Sequence, residues 1–100
     1  MDELIEEIGI DNEKRLYIKP ALATFPMIYR EAMEVHWEQS SGYLYSPAPR
    51  KWSYLDWYRQ IIKCASIQGY TLKLSVKTRW VNIPPELQSQ IQREQCTENT

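Results

Sequence analysis

The chain's one histidine, His36, stands between Glu34 and Glu38. If the segment is a strand, its two-residue period puts all three side chains on one face. Two carboxylates beside an imidazole can work as an acid–base pair or supply part of a divalent-metal ligand set. This Glu34/His36/Glu38 row supports an alternative reading as a small enzyme. A metal site ordinarily recruits ligands from a second element, and no such candidate stands out, so a solvent-facing strand row is the simpler account. Other chemistry is scarce. The three glycines are isolated and form no phosphate loop, and Ser40 and Ser41 lie in no nucleophile-elbow motif. Cys64 and Cys96 have neither Cys-x-x-Cys nor metal-ligand spacing, which fits reduced thiols in the cytosol. No residue is assigned a catalytic role, and neither a cofactor nor a metal is called for.

Binding chemistry is concentrated in one place. The stretch YLYSPAPRKWSYLDWYRQ, residues 43–60, holds six of the chain's 12 aromatic residues, with Arg50 and Lys51 among them. Tyr and Trp combine a large apolar body with a polar tip and are enriched where surfaces meet. The candidate binding or interface residues are Tyr43, Tyr45, Arg50, Lys51, Trp52, Tyr54, Trp57 and Tyr58. On a helical wheel, Tyr54, Leu55, Trp57, Tyr58, Ile61, Ile62, Cys64 and Ala65 span an arc of roughly 180°, wider than the stripe of about 100° that a surface helix needs. Three accounts of this width stand side by side. In the first, this is the main core helix, covered on both flanks. In the second, one flank packs on a second copy of the chain, as a dimer or tetramer. In the third, a small ligand binds in a groove beneath the Pro-Ala-Pro segment, with Arg50, Lys51 and tyrosine hydroxyls as polar contacts. Cations beside rings also suit single-stranded nucleic acid held through Arg50 and Lys51, but no RNP, KH or helix-turn-helix signature accompanies them.

These residues need a scaffold. Ile8 and Ile10, then Leu16 and Ile18, alternate with polar positions around Asp11-Asn12, which predicts a hairpin; a short helix over residues 2–8 is the alternative. Met33, Val35 and Trp37 alternate with Glu34, His36 and Glu38, and Tyr43-Leu44-Tyr45 follows a turn at Gly42, giving a second hairpin. Pro47 and Pro49 end it. Ser53 with Asp56 resembles a capping box, and Trp52 with Trp57 has the spacing of a hydrophobic staple. The helix so opened should run from Tyr54 to Gln68 and stop at Gly69. Tyr70, Leu72, Leu74 and Val76 alternate as a strand, residues 79–83 form another, and Pro84-Pro85 opens a short final helix around Leu87 and Ile91, with a polar tail from Gln92. The expected fold is a single α+β domain: two antiparallel hairpins and a C-terminal strand pair packed around one long central helix, with a short helix at the end.

Charge adds an asymmetry. The formal net charge is −1, yet residues 1–13 carry six acids and no Lys or Arg, leaving 12 basic and 7 acidic side chains, a net of +5, in the other 87 residues. The acidic end could lie over basic surface of its own chain or of a neighbour; a solvated edge is the plainer expectation. A near-neutral total argues against a dedicated nucleic-acid or membrane-surface protein. With no stretch approaching the ~20 apolar residues of a membrane span, a cytoplasmic protein is expected.

The phrases FPMIYREAMEVHWE, YLYSPAPRKWSYLDWYRQI, TLKL and TRWVNIP resemble small bacterial proteins of no assigned activity, including integron cassette proteins of the mobile metagenome. The resemblance covers roughly residues 14–90 and rests on aromatic and proline positions, without a catalytic motif. It implies a compact, often oligomeric α+β domain, makes a protein partner plausible, and transfers no functional residue.

Overall fold

The computed structural model describes residues 2–30 and 34–98, with the side chains of residues 29 and 95–98 outside that description. The expected inward side chain of Met33 and the polar-tail side chain of Cys96 therefore lie outside the described residues.

The element order is β1 (Asp2–Ile10), β2 (Leu16–Pro20), a 3-10 turn (Ile28–Arg30), β3 (His36–Glu38), β4 (Tyr43–Tyr45), α1 (Tyr54–Ile67), β5 (Thr71–Lys73), β6 (Arg79–Val81) and α2 (Pro85–Glu98). All six strands belong to one sheet, ordered β3-β4-β2-β1-β5, with β6 also paired to β1. The α+β class holds. The arrangement of hairpins around a long central helix does not: α1 and α2 have 14 residues each, and their buried side chains share one cluster with one face of the sheet. The cause is that β2 also pairs with β4, which joins the two hairpins edge to edge.

The first hairpin forms as its alternation dictates. Ile8 faces Ile18 and Ile10 faces Leu16, which excludes a helix over residues 2–8. A bulge between Ile5 and Glu7 shifts the register by one residue. It lets Glu3 and Ile5 point inward before it and Ile8 after it, all three buried. Asp11 organises the turn. Its Oδ1 accepts from the backbone N–H of Glu13 and of Arg15, each at 2.9 Å, and its Oδ2 accepts from Arg15 Nε at 2.8 Å.

The C-terminal strands correct the expectation of a strand pair. β5 runs parallel to β1 at Asp2–Leu4, and β6 runs parallel to the next stretch of β1 at Glu7–Gly9. They are two segments on one edge of β1, reached by the α1 crossover that parallel pairing requires. Thr78 marks the break between them. Its hydroxyl donates to Ile5 O at 2.7 Å and accepts from Ser75 N at 3.0 Å, pulling the chain into a loop. Val76, read as inward-facing, stands fully exposed at that loop.

α1 starts and stops as its end residues require. Ser53 Oγ accepts from Asp56 N at 3.2 Å, and Ser53 N donates to Asp56 Oδ2 at 3.1 Å, completing the capping box. Gly69 ends the helix at φ +96°, a backbone region that glycine enters without steric cost. Trp57, Tyr58, Ile61, Cys64 and Ala65 are buried, and Tyr54, Leu55 and Ile62 pack against the same cluster. The arc therefore packs on its own chain's cluster, with Tyr54, Leu55 and Ile62 left partly exposed. α2 covers part of it: Leu87 and Ile91 are buried, and Glu94 of α2 pairs with Arg59 of α1.

The six N-terminal acids also find partners in their own chain. Asp2 pairs with Lys73, Glu6 with Lys19, Glu7 with Arg79, and both Asp11 and Glu13 with Arg15. Glu3 is buried and accepts from the backbone N–H of Leu22 and Ala23 at 2.5 and 2.7 Å. The edge is both solvated and internally paired: Asp2 and Glu13 stay exposed and Glu6 partly so, while the compensating cations come from the neighbouring strands and from the hairpin turn.

Candidate binding groove and an aromatic sheet face

The sheet has two unlike faces. Ile8, Leu16, Ile18 and Leu44 turn to the helices and are fully buried. The alternate positions face the other way and carry Glu7, Gly9, Tyr17, Lys19, His36, Glu38, Tyr43, Tyr45 and Arg79. On that outer face Tyr17 lies 4.6 Å from Tyr43, Tyr43 meets Tyr45 edge to face at 6.1 Å, and His36 rests on Tyr45 at 5.3 Å (ring centroids). The Arg15 guanidinium stands 4.6 Å over the Tyr45 ring, a cation–π contact. Tyr17 donates its hydroxyl to Glu7 Oε2 at 2.5 Å, while Glu7 Oε1 accepts from Arg79 Nη2 at 2.9 Å. Burial first, then the Glu7 carboxylate, pushes the Tyr17 phenol well above its ordinary pKa. This phenol is therefore held as a neutral donor.

The groove lies elsewhere, where the segment leaving β4 enters α1. Ser46 anchors the start of that segment: it is fully buried, and its N–H donates to Leu16 O at 2.9 Å. Pro47 and Pro49 then deny the chain ladder donors, and the capping box at Ser53 fixes its far end. Between these two anchors opens a groove of about 490 Å³, lined by Glu34, Pro47, Ala48, Arg50, Lys51, Trp52 and Trp57. Trp52 and Trp57 form the staple, with ring centroids 4.7 Å apart and planes at 45°. Trp52 is 45% exposed, whereas Trp57 is 7% exposed. The Trp57 indole N–H is sealed from water and has no hydrogen-bond partner among the described residues. Arg50 and Lys51 are exposed and, among the described residues, enter no ion pair.

The eight aromatic and basic candidates thus part into three groups. Tyr43 and Tyr45 belong to the outer sheet face. Arg50, Lys51, Trp52 and Trp57 share the groove. Tyr54 and Tyr58 serve the scaffold: Tyr54 donates its hydroxyl to Lys14 O at 3.0 Å, tying α1 to the first hairpin, and Tyr58 is fully buried. The Glu34/His36/Glu38 row is not brought together as a site. Glu34 lines the groove, His36 stacks on Tyr45, and Glu38 accepts from Ser40 Oγ at 2.8 Å and Ser40 N at 3.2 Å within its own turn. Those Ser40 bonds, side chain first, hold the Glu38 carboxyl below its usual range. Among the described residues no cluster of three or more His, Cys, Asp or Glu could hold a metal. No described helix is long and apolar enough to cross a membrane. Two contributors escaped sequence reasoning: Glu34 as a groove residue and Tyr17 as the centre of the outer aromatic face. Tyr17 lies between inward Leu16 and Ile18, so its outward direction could have been read from the period of two.

A family model described as Integron Cassette Protein Hfx_Cass5 matches residues 3–78. The chain belongs to the Hfx_Cass5 integron cassette protein family. The matched range takes in every residue that lines the groove. A solved structure from the mobile metagenome of North West Arm Sewage Outfall, Integron Cassette Protein Hfx_Cass5, is 46% identical over 94% of this chain and 95% of that chain, with a TM-score of 0.47. Comparison with curated proteins found no match. Membership of the Hfx_Cass5 family brings no assigned activity with it.

Proposed function

We propose that the protein is a cytoplasmic small-ligand-binding protein whose site is the groove at Trp52 and Trp57. The observation that carries this reading is the combination of a concave, mostly apolar lining with a buried indole donor that lacks an acceptor. Ligand sites typically enclose roughly 300–1,000 Å³, with apolar walls and a few placed polar groups, and this groove falls in that range. Its wall is built on the capped first turn of α1, which fixes the backbone that carries Trp57. Cytoplasmic residence is part of the proposal, supported by two cysteines with no disulfide or metal spacing. A thermal-shift screen of fragments tests the reading. Hits should stabilise the wild-type protein and lose that effect in Trp52→Ala, with each shift read against that variant's own unliganded melting temperature. Hits that stabilise both proteins equally would place the site elsewhere.

A second reading, self-association, is favoured by the outer sheet face. There Tyr43 and Tyr45, both half-buried, form an aromatic surface backed by the buried Tyr17 ring. Light scattering across a range of concentrations should give a mass above that of the 11.9 kDa monomer, and Tyr43→Glu should return it to the monomer value. A monomer at all concentrations would contradict this second reading and leave the groove untouched.

A further inference from the structure

The groove's chemistry narrows what it takes. A buried N–H without an acceptor costs more free energy than the same donor paired. The Trp57 indole N–H therefore favours any ligand that brings an oxygen to it. The donor is sealed in this structure, so binding at it requires a neighbouring side chain to move; Trp52, which lies against Trp57 and is 45% exposed, is the lining residue best placed to do so. Charge selects further. Arg50 and Lys51 contribute two positive charges to the lining against one carboxylate, Glu34, and among the described residues none of the three is engaged in an ion pair. Charge-assisted hydrogen bonds to such cations are roughly twice as strong as neutral ones. Shape selects last: the Trp52 face, Pro47 and Ala48 supply a flat apolar wall suited to a ring.

Resting on the binding-site reading above, we propose that the groove binds a small aromatic carboxylate, with its ring against Trp52 and Pro47 and its carboxylate accepting from Trp57 Nε1 beside Arg50 and Lys51. A neutral ring would forgo the two cations. A cationic ring would face Arg50 and Lys51 with only Glu34 in its favour, and it would leave the Trp57 donor without an acceptor.

Three probes with one ring system test this by calorimetry: indole-3-acetate, indole-3-acetamide and tryptamine. The acetate should bind about tenfold more tightly than the amide, equivalent to ~1.4 kcal/mol, and tryptamine should bind most weakly. Added salt should narrow the gap between acetate and amide, because the cations are exposed. In the double variant Arg50→Gln/Lys51→Gln, whose two positions are at the surface, the acetate should lose its advantage over the amide. Trp57→Phe, checked for an unchanged melting temperature, should weaken acetate and amide alike. Equal affinity for all three probes, or tryptamine binding most tightly through Glu34, would overturn the carboxylate assignment and leave the groove a binding site. If no probe binds and the fragment screen finds no Trp52-dependent hit, both readings fall together.

Discussion

At Gly9 the outer sheet face leaves no room for a side chain. The residue stands directly opposite Tyr17, and a Cβ there would lie 2.4 Å from the Tyr17 hydroxyl oxygen. The Tyr17 ring crosses Gly9 to reach Glu7, and the Glu7–Arg79 contact depends on the same carboxylate. Overpacking of this kind typically costs about 1–3 kcal/mol. Gly9→Ala should therefore lower stability by about 1–3 kcal/mol in urea unfolding, and Gly9→Ala/Tyr17→Leu should recover part of the loss. If Gly9→Ala alone is neutral, the Tyr17 ring does not lie across it. Sequence alone could not have shown this requirement, since the glycine sits inside an alternating strand and the ring that excludes a side chain comes from the partner strand. The same holds at Trp57. Its place in the staple follows from its spacing to Trp52, but the missing acceptor depends on which groups converge on it in space.

Among the elements, the first hairpin was legible in its alternation and turn chemistry, which point to the same register, although the acids of residues 2–8 also suited a helix N-terminus. Its turn rests on Asp11. Burial raises the Asp11 pKa, but the Arg15 backbone bond, the Arg15 side chain and the Glu13 N–H together outweigh that and hold it below the usual carboxylate range. The sign follows from linkage. A folded-state pKa below the unfolded value of about 3.9 gives stability that is complete above that value and lost as pH falls through the folded one. Asp11→Ala should cost about 1 kcal/mol at neutral pH, the scale of a hydrogen-bonded carboxylate. It should also flatten the fall in stability below pH ~4. An unchanged acid limb would mean that other carboxylates carry it. The α1 boundaries were equally readable, through Ser53, Asp56 and Gly69. The C-terminal strands were not. Their pairing with β1 joins residues far apart in sequence, such as Glu3 with Leu72 and Ile8 with Trp80, and a period of two carries no sign of direction. Thr78 decides where that edge breaks, through a buried bond to Ile5 O that no local pattern signals.

For the whole molecule, charge and apolar surface are settled largely within the chain. The acids of β1 and its turn face Lys73, Lys19, Arg79 and Arg15. Most of these pairs are partly exposed and worth little individually, so their effect is mainly to align β1 against its neighbours. The wide apolar arc of α1 packs against the sheet and α2 through its five buried residues, while Tyr54, Leu55 and Ile62 stay partly exposed. What remains is a groove with an acceptor-seeking indole and two cations beyond the internally paired set, together with an aromatic sheet face on the opposite side from the helices. The central claim is that the groove receives a ligand acceptor at Trp57. The most direct measurement is an ¹H–¹⁵N spectrum of the four tryptophan indole N–H groups during titration with indole-3-acetate. The Trp57 resonance should move downfield as its N–H gains an acceptor, Trp52 should shift with it, and Trp37, already bonded to Gln39 Oε1 at 2.9 Å, should stay in place. A Trp57 resonance that does not move at saturating ligand would contradict the account.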